Sequence, residues 1–145
     1  VLLPWIANLG KRQVRTPKIY FRDSGLFHLL AGIRTHADLL RHPKLGVSWE
    51  AAAMEEVIRH HRAAPEECFF WAVHSQAELD LLLLLDGKPR GFEFKFGDAP
   101  RVTRSMRTAR DLLGIEDLRV IHPGTRRFRM DDRIEAEGLA SYLRR

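Results

Sequence analysis

The sequence predicts an α/β fold: a mixed β-sheet flanked by helices, with the core order helix, strand, strand, strand, helix, strand. Three observations carry that prediction. Gly91-Phe92-Glu93-Phe94-Lys95-Phe96 alternates aromatic and charged residues with the period of a strand. Asp86-Gly87, set between the apolar run Leu81 to Leu85 and that stretch, is the signature of a tight β-hairpin. Two helical stripes bracket the strands: Trp49, Ala53, Val57 and His60 on one side, and Val102, Met106, Ala109 and Leu113 on the other.

The elements follow in order. Leu2, Leu3, Trp5, Ile6 and Leu9 read as the end of an apolar helix or a packing arm, broken at Asn8-Gly10-Lys11-Arg12. Lys18 to Phe21 reads as a short strand after Pro17. Asp23 is a good cap for a helix over 24–31 that stops at Gly32, and a second short helix over 35–41 ends before Pro43. Ser48 is a plausible cap for a helix over 49–61, which puts Glu50 in a first turn that favours a carboxylate. After a turn at Pro65-Glu66-Glu67, strands are expected over 68–73, 79–85 and 91–96, with a turn at Ser75-Gln76. Leu81 to Leu85 is apolar on both faces, so that strand belongs at the centre of the sheet. Gly97-Asp98-Ala99-Pro100 links to a helix over 101–113, stopped by Gly114. A strand over 118–121 returns parallel through a right-handed crossover. A last strand over 126–130 and a terminal helix over 134–143 complete the chain. Residues 1–45 thus form an apolar arm, short strand and helices, and residues 46–145 form the core with its C-terminal strand and helix.

Composition narrows the class. A chain of 145 residues is about one domain, and 45% hydrophobic with 30% charged residues is the balance of a soluble globular protein. Its longest apolar run falls far short of the ~18 residues of a membrane span. The start, Val1-Leu2-Leu3-Pro4-Trp5, has no basic leader region, and a first residue other than Met suggests a piece of a longer chain. The lone Cys68 excludes an internal disulfide and a multi-cysteine zinc site, and fits a reducing cytoplasm. A net charge of +5 favours acidic partners such as nucleic acid, although many soluble domains carry as much without one.

Candidate chemistry sits on four residues. Glu50 lies on the first core helix, Asp80 on the second strand, and Glu93 and Lys95 on the third. Carboxylate oxygens suit Mg2+ or Mn2+, here through Glu50, Asp80 and Glu93, and such a cation activates water and neutralises phosphate charge. Lys95 is suited to positioning the attacking water or stabilising the phosphate. The plainer alternative for Glu93 and Lys95 is an ion pair on a solvated strand face. Convergence of the acids in a cleft would favour the first, and pairing in open solvent the second. Arg101, Arg104, Arg107 and Arg110 fan across one helix face and fit phosphate contacts; such a face is equally what an amphipathic surface helix presents to water. His28, His36 and His42 lack metal spacing, and adjacent His60 and His61 point about 100° apart.

These residues carry a resemblance. Residues 46 to 122 resemble the core of the PD-(D/E)xK nuclease superfamily: Asp80 matches its first acid, Glu93-Phe94-Lys95 its (D/E)xK, and Glu50 its first-helix glutamate. Leu79 stands where the strict motif has Pro. Almost the whole chain also resembles the bacterial and archaeal domain of unknown function 4143. The matching stretches are Pro17 to Leu26, Gly46 to Glu50, Phe70-Trp71, Glu78 to Asp80 and Glu93 to Lys95. In that family the domain normally follows an AAA-type ATPase module and a winged-helix segment, so the resemblance implies both as missing partners in the same chain. No Gly-rich loop ending in Lys-Ser/Thr occurs, so no ATP site is expected in this piece. Two functions stay open: a metal-dependent nuclease-like enzyme, or a non-catalytic module that binds nucleic acid or regulates and assembles the attached ATPase. The apolar N-terminal segment makes self-association an expectation as well.

Overall fold

The computed structural model describes residues 1–7, 13–74, 77–97 and 99–145. The break expected at Asn8 to Arg12, the turn at Ser75-Gln76 and the Asp98 position of the linker lie outside the described residues. Seven strands, β1 (Leu3–Pro4), β2 (Cys68–Val73), β3 (Ala77–Leu85), β4 (Lys88–Phe94), β5 (Leu118–His122), β6 (Arg127–Asp131) and β7 (Ile134–Gly138), form one mixed sheet. The helices are α1 (Ser24–Leu30), α2 (His36–Arg41), α3 (Leu45–His61), α4 (Arg104–Leu113) and α5 (Leu139–Tyr142). The strand order is β1-β2-β3-β4-β5-β7-β6. As expected, β2, β3 and β4 form an antiparallel meander, and β5 returns beside β4 in parallel. At the β3–β4 hairpin, Asp86 and Gly87 both take positive φ, at 52° and 73°, the backbone that a tight two-residue hairpin turn demands.

Two apolar layers cover the sheet. On one side Ala53, Val57 and Ile58 of α3 pack on Phe70, Leu81, Leu83, Phe92 and Phe94. On the other, Met106 and Ala109 of α4 pack on Trp71, Leu79, Leu82, Leu118 and Val120. β3 therefore feeds both layers, which is why its run of leucines has no polar face. Its alternation breaks at one point. Between the pairs Phe69↔Leu82 and Trp71↔Leu79, the single residue Phe70 faces two, Asp80 and Leu81. That is a β-bulge, a device that re-aims side chains.

Several expected elements differ. The stretch 18–21 is not a strand; Lys18 makes only an isolated bridge to Leu2, and Tyr20 and Arg22 turn to α3, where the buried Glu55 accepts from the Tyr20 hydroxyl at 2.8 Å and from Arg22 Nε at 3.0 Å. Leu3–Pro4 form an edge strand parallel to β2 rather than a helix end. α3 begins at Leu45, so Ser48 lies inside the helix, its hydroxyl bonded to His28 Nε2 at 2.7 Å, and Glu50 lies beyond the first turn. α4 starts three residues late because Thr103 caps it, accepting from Met106 N–H. β4 ends at Phe94, so Lys95 and Phe96 lie past the strand. The terminal helix over 134–143 is the largest error. Its first half is β7, inserted between β5 and β6, and only 139–142 is helical.

β7 ends where the chain is most crowded. A Cβ on Gly138 would stand 1.9 Å from the Gly124 carbonyl oxygen. Gly138→Ala is expected to cost about 3 kcal/mol and lower Tm by about 10 °C. A shift below about 2 °C in thermal unfolding would mean that the Gly124 turn moves aside freely.

Candidate functional site

The site lies where β3 and β4 part. Their pairing runs from Leu85↔Lys88 to Leu81↔Phe92 and stops there. Beyond it β3 stays with β2, and β4 stays with β5 through Glu93↔Val120 and Phe94↔Ile121. One further step of the hairpin register would set Asp80 opposite Glu93. Instead the Asp80 carboxylate fills the gap: its Oδ2 accepts from the Phe94 N–H at 3.0 Å, in place of a ladder carbonyl. The bulge at Asp80 is what frees its side chain for this.

The four predicted residues gather around that opening. Lys95 Nζ lies 3.1 Å from Glu93 Oε2 and 3.9 Å from Asp80 Oδ2. Glu50, reaching from α3, accepts from the Phe96 N–H with Oε1 at 3.2 Å. Glu93 is only 4% exposed, so this is not an ion pair in open solvent. Lys95 remains partly exposed and marks the site's opening to water.

The electrostatics are those of an overfilled acidic pocket. Burial, with Asp80 adding to it, pushes the Glu93 carboxyl up to about 8, against the pull of Lys95. Burial also raises Glu50, which the Phe96 N–H and Lys95 only partly offset. Burial alone would lower Lys95, but Glu93 and Asp80 outweigh it and hold the ammonium above its usual range. Glu93 Oε1 is buried and has no hydrogen-bond partner among the described residues. An orphaned carboxylate oxygen is costly. Three carboxylates, one with an oxygen lacking a donor, are a hard-oxygen set that fits a small divalent cation. The set is not drawn tight: among the described residues, no three His, Cys, Asp or Glu side chains stand grouped as ready metal ligands.

The arginine stripe divides. Arg107 Nε donates to Asp131 Oδ2 at 2.6 Å, and Arg110 is held by Asp111 and the Asp132 carbonyl, so both are bound within the fold. Arg101 and Arg104 have no ion pair among the described residues and remain exposed. Sequence reasoning missed one neighbour of the site: Phe96, whose period-two spacing puts it on the strand face of Phe92 and Phe94, is 45% exposed, its N–H on Glu50. Gly97 directly after it was the available signal for a turn.

Comparison with known proteins adds the family. The model described as "Domain of unknown function (DUF4143)" matches residues 45–142. The chain is 45% identical over 135 residues, 93% of its length, to the uncharacterized protein Rv2008c of Mycobacterium tuberculosis. It is equally similar to the uncharacterized protein Mb2031c of Mycobacterium bovis, and it spans 30% of the length of each relative. No solved structure matches it. No helix among the described residues is long and apolar enough to cross a membrane.

The raised Glu93 has a consequence for stability. Between its ordinary 4.5 and about 8, the folded protein keeps a proton that the unfolded chain has released. Stability therefore falls as pH rises through that window, and the loss is complete above it. Glu93→Gln, which keeps the shape without the charge, is expected to stabilise by about 2–4 kcal/mol at about pH 9 and by little at about pH 4. Equal effects at both pH values in urea unfolding would show that the carboxylate is not strained.

Proposed function

The chain belongs to the DUF4143 family, and we propose that its Glu50, Asp80, Glu93 and Lys95 cluster serves metal-dependent hydrolysis of a phosphodiester in nucleic acid. The observation that carries this reading is the buried, donor-starved Glu93 carboxylate beside Asp80 and Lys95 at the split in the sheet. A fold does not keep such a group for stability, since burying it costs free energy. The resemblance of Glu93-Phe94-Lys95 and Asp80 to the PD-(D/E)xK pattern supports the same chemistry.

Asp80 and Glu93 would hold the cation, Mg2+ or Mn2+, with Glu50 joining from α3. When bound, the cation would supply Lewis-acid polarisation of the phosphate and a more acidic water. The protein's own part is separate. Asp80 is already fixed by the Phe94 N–H, so one of its oxygens is oriented in advance. Lys95 is a cation at the exposed edge, suited to holding the water or the phosphate oxygen against the acids. Glu93 would hold the cation as the carboxylate, so its proton would be released on binding.

In the same reading the domain acts within a longer protein that carries an ATPase module and a winged-helix segment. The curated relatives extend well beyond the matched region, which supports a longer protein; the two modules come from the resemblance. A second reading, a non-catalytic module that binds nucleic acid or regulates the ATPase, is favoured by one observation, that the acids are not grouped as ready ligands.

Calorimetric titration of Mn2+ separates the two. The wild type is expected to bind with release of about one proton at pH 7, read from the dependence of heat on buffer. Asp80→Asn keeps an oxygen that can accept from Phe94 N–H, so it should fold but lose binding. Lys95→Ala is expected to bind Mn2+ yet lose cleavage of labelled DNA and RNA by at least a hundredfold. Absence of Mn2+ binding in the wild type would sink the enzyme reading and leave the module.

A further inference from the structure

Beside the acidic cluster stands an exposed ring that the core does not use. The period-two pattern of Phe92 and Phe94 would carry Phe96 inward. The backbone prevents it: β4 has ended, Phe96 N–H donates to Glu50 Oε1, and Gly97 N–H donates to the Lys95 carbonyl at 2.8 Å. The ring turns out to solvent, yet it is held. Trp49 lies against it with centroids 5.9 Å apart and planes inclined at 49°. Gly46 lies close beside it, a Cβ there falling 3.6 Å from the Phe96 Cβ. The ring thus has a supported side and an open one.

We propose that Phe96 is a stacking platform for an unpaired nucleobase and that the site therefore takes single-stranded nucleic acid. The proposal rests on the phosphodiester reading above and adds the substrate's form. Lys95 and Phe96 present a cation and then a ring, the order in which a nucleotide presents its phosphate and its base. Stacking on an exposed aromatic is open to any base but needs a free base face. In a duplex those faces are covered by neighbouring pairs, so the ring would meet only a strand end. The neighbouring stretches of chain carry basic residues that suit a polyanion. Lys44, two residues before Gly46, and Arg101, five residues after Phe96, are exposed and have no ion pair among the described residues. Of the exposed apolar residues, Phe96 is distinguished by having its own peptide N–H on a site carboxylate.

The test is binding, kept apart from turnover. Fluorescence anisotropy with labelled single-stranded oligo-dT and oligo-U of about twelve nucleotides, and a duplex of equal length, is measured in EDTA. Single strands of one or both sugars are expected to bind more tightly than the duplex. Phe96→Ala should weaken that binding about tenfold, Phe96→Trp should retain or exceed it, and duplex binding should stay unchanged. The ring is on the surface, so both variants should fold. Wild-type single-strand affinity in Phe96→Ala, equal loss on duplex, or no binding of any oligonucleotide by the wild type would overturn the proposal. Metal titration separates the two readings. Single-strand binding through Phe96 without Mn2+ binding would sink only the metal chemistry, and Mn2+ binding with an indifferent Phe96 would sink only the platform.

Discussion

The candidate site depends on one hydrogen bond, from the Phe94 N–H to Asp80 Oδ2. An antiparallel hairpin normally closes its ladder with backbone carbonyls, and each missing bond leaves a buried donor unpaired. Here a side chain takes the carbonyl's place at the step where β3 and β4 part. The sheet can then open between two central strands without an orphaned amide. The bulge of Asp80 and Leu81 against Phe70 makes this possible, because it moves Asp80 out of the regular alternation while Leu79 and Leu82 keep their places in the α4-side core. Packing thus continues past the opening, where Asp80, Glu93 and Lys95 meet.

Charge balance follows from that opening. Two acids and a lysine meet within 4 Å, and Glu93 pays most of the desolvation. The other buried acids among the described residues are well partnered. Glu55 is bracketed by Tyr20 and Arg22, and Glu137 accepts from Arg119, Ser141 and Arg145. Both have several donors. Among the described residues Glu93 has one, Lys95, and an oxygen left over. The contrast within one chain identifies Glu93 as the buried acid whose surroundings are unfinished.

Much of this was legible in the sequence. The hairpin at Asp86-Gly87, the double-sided leucines of β3, the two flanking helices and the parallel return of β5 all follow from local periodicity and turn chemistry. The hairpin brings Asp80 and Glu93 to the same end of the pair of strands, but the pairing stops at Leu81↔Phe92, and their meeting with Lys95 is made at the split beyond it. β7 was not legible for an identifiable reason. Ile134-Glu-Ala-Glu-Gly is rich in helix formers, yet it pairs with β5 and β6, and Arg119 and Arg145 neutralise its buried Glu137. The early start of α3 was hidden likewise, because Ser48 spends its hydroxyl on His28 rather than on a cap. In each case a long-range partner overrode a local preference.

Phe96 joins these threads. Its alternation with Phe92 and Phe94 predicts burial, and its exposure arises because Glu50 captures its N–H just past the end of β4. The acid on α3 and the ring are therefore one arrangement: the bond that holds Glu50 at the rim of the site is the bond that turns Phe96 outward. Glu50 Oε1 is committed to that N–H, while Asp80 Oδ2 is committed to Phe94. Two alternate N–H groups of one segment, those of Phe94 and Phe96, thus anchor two of the three acids. Glu93, directly before Phe94 in the chain, has no such backbone anchor among the described residues and is paired with Lys95. The backbone of one short segment thus orients Glu50 and Asp80 and leaves Glu93 short of donors among the described residues.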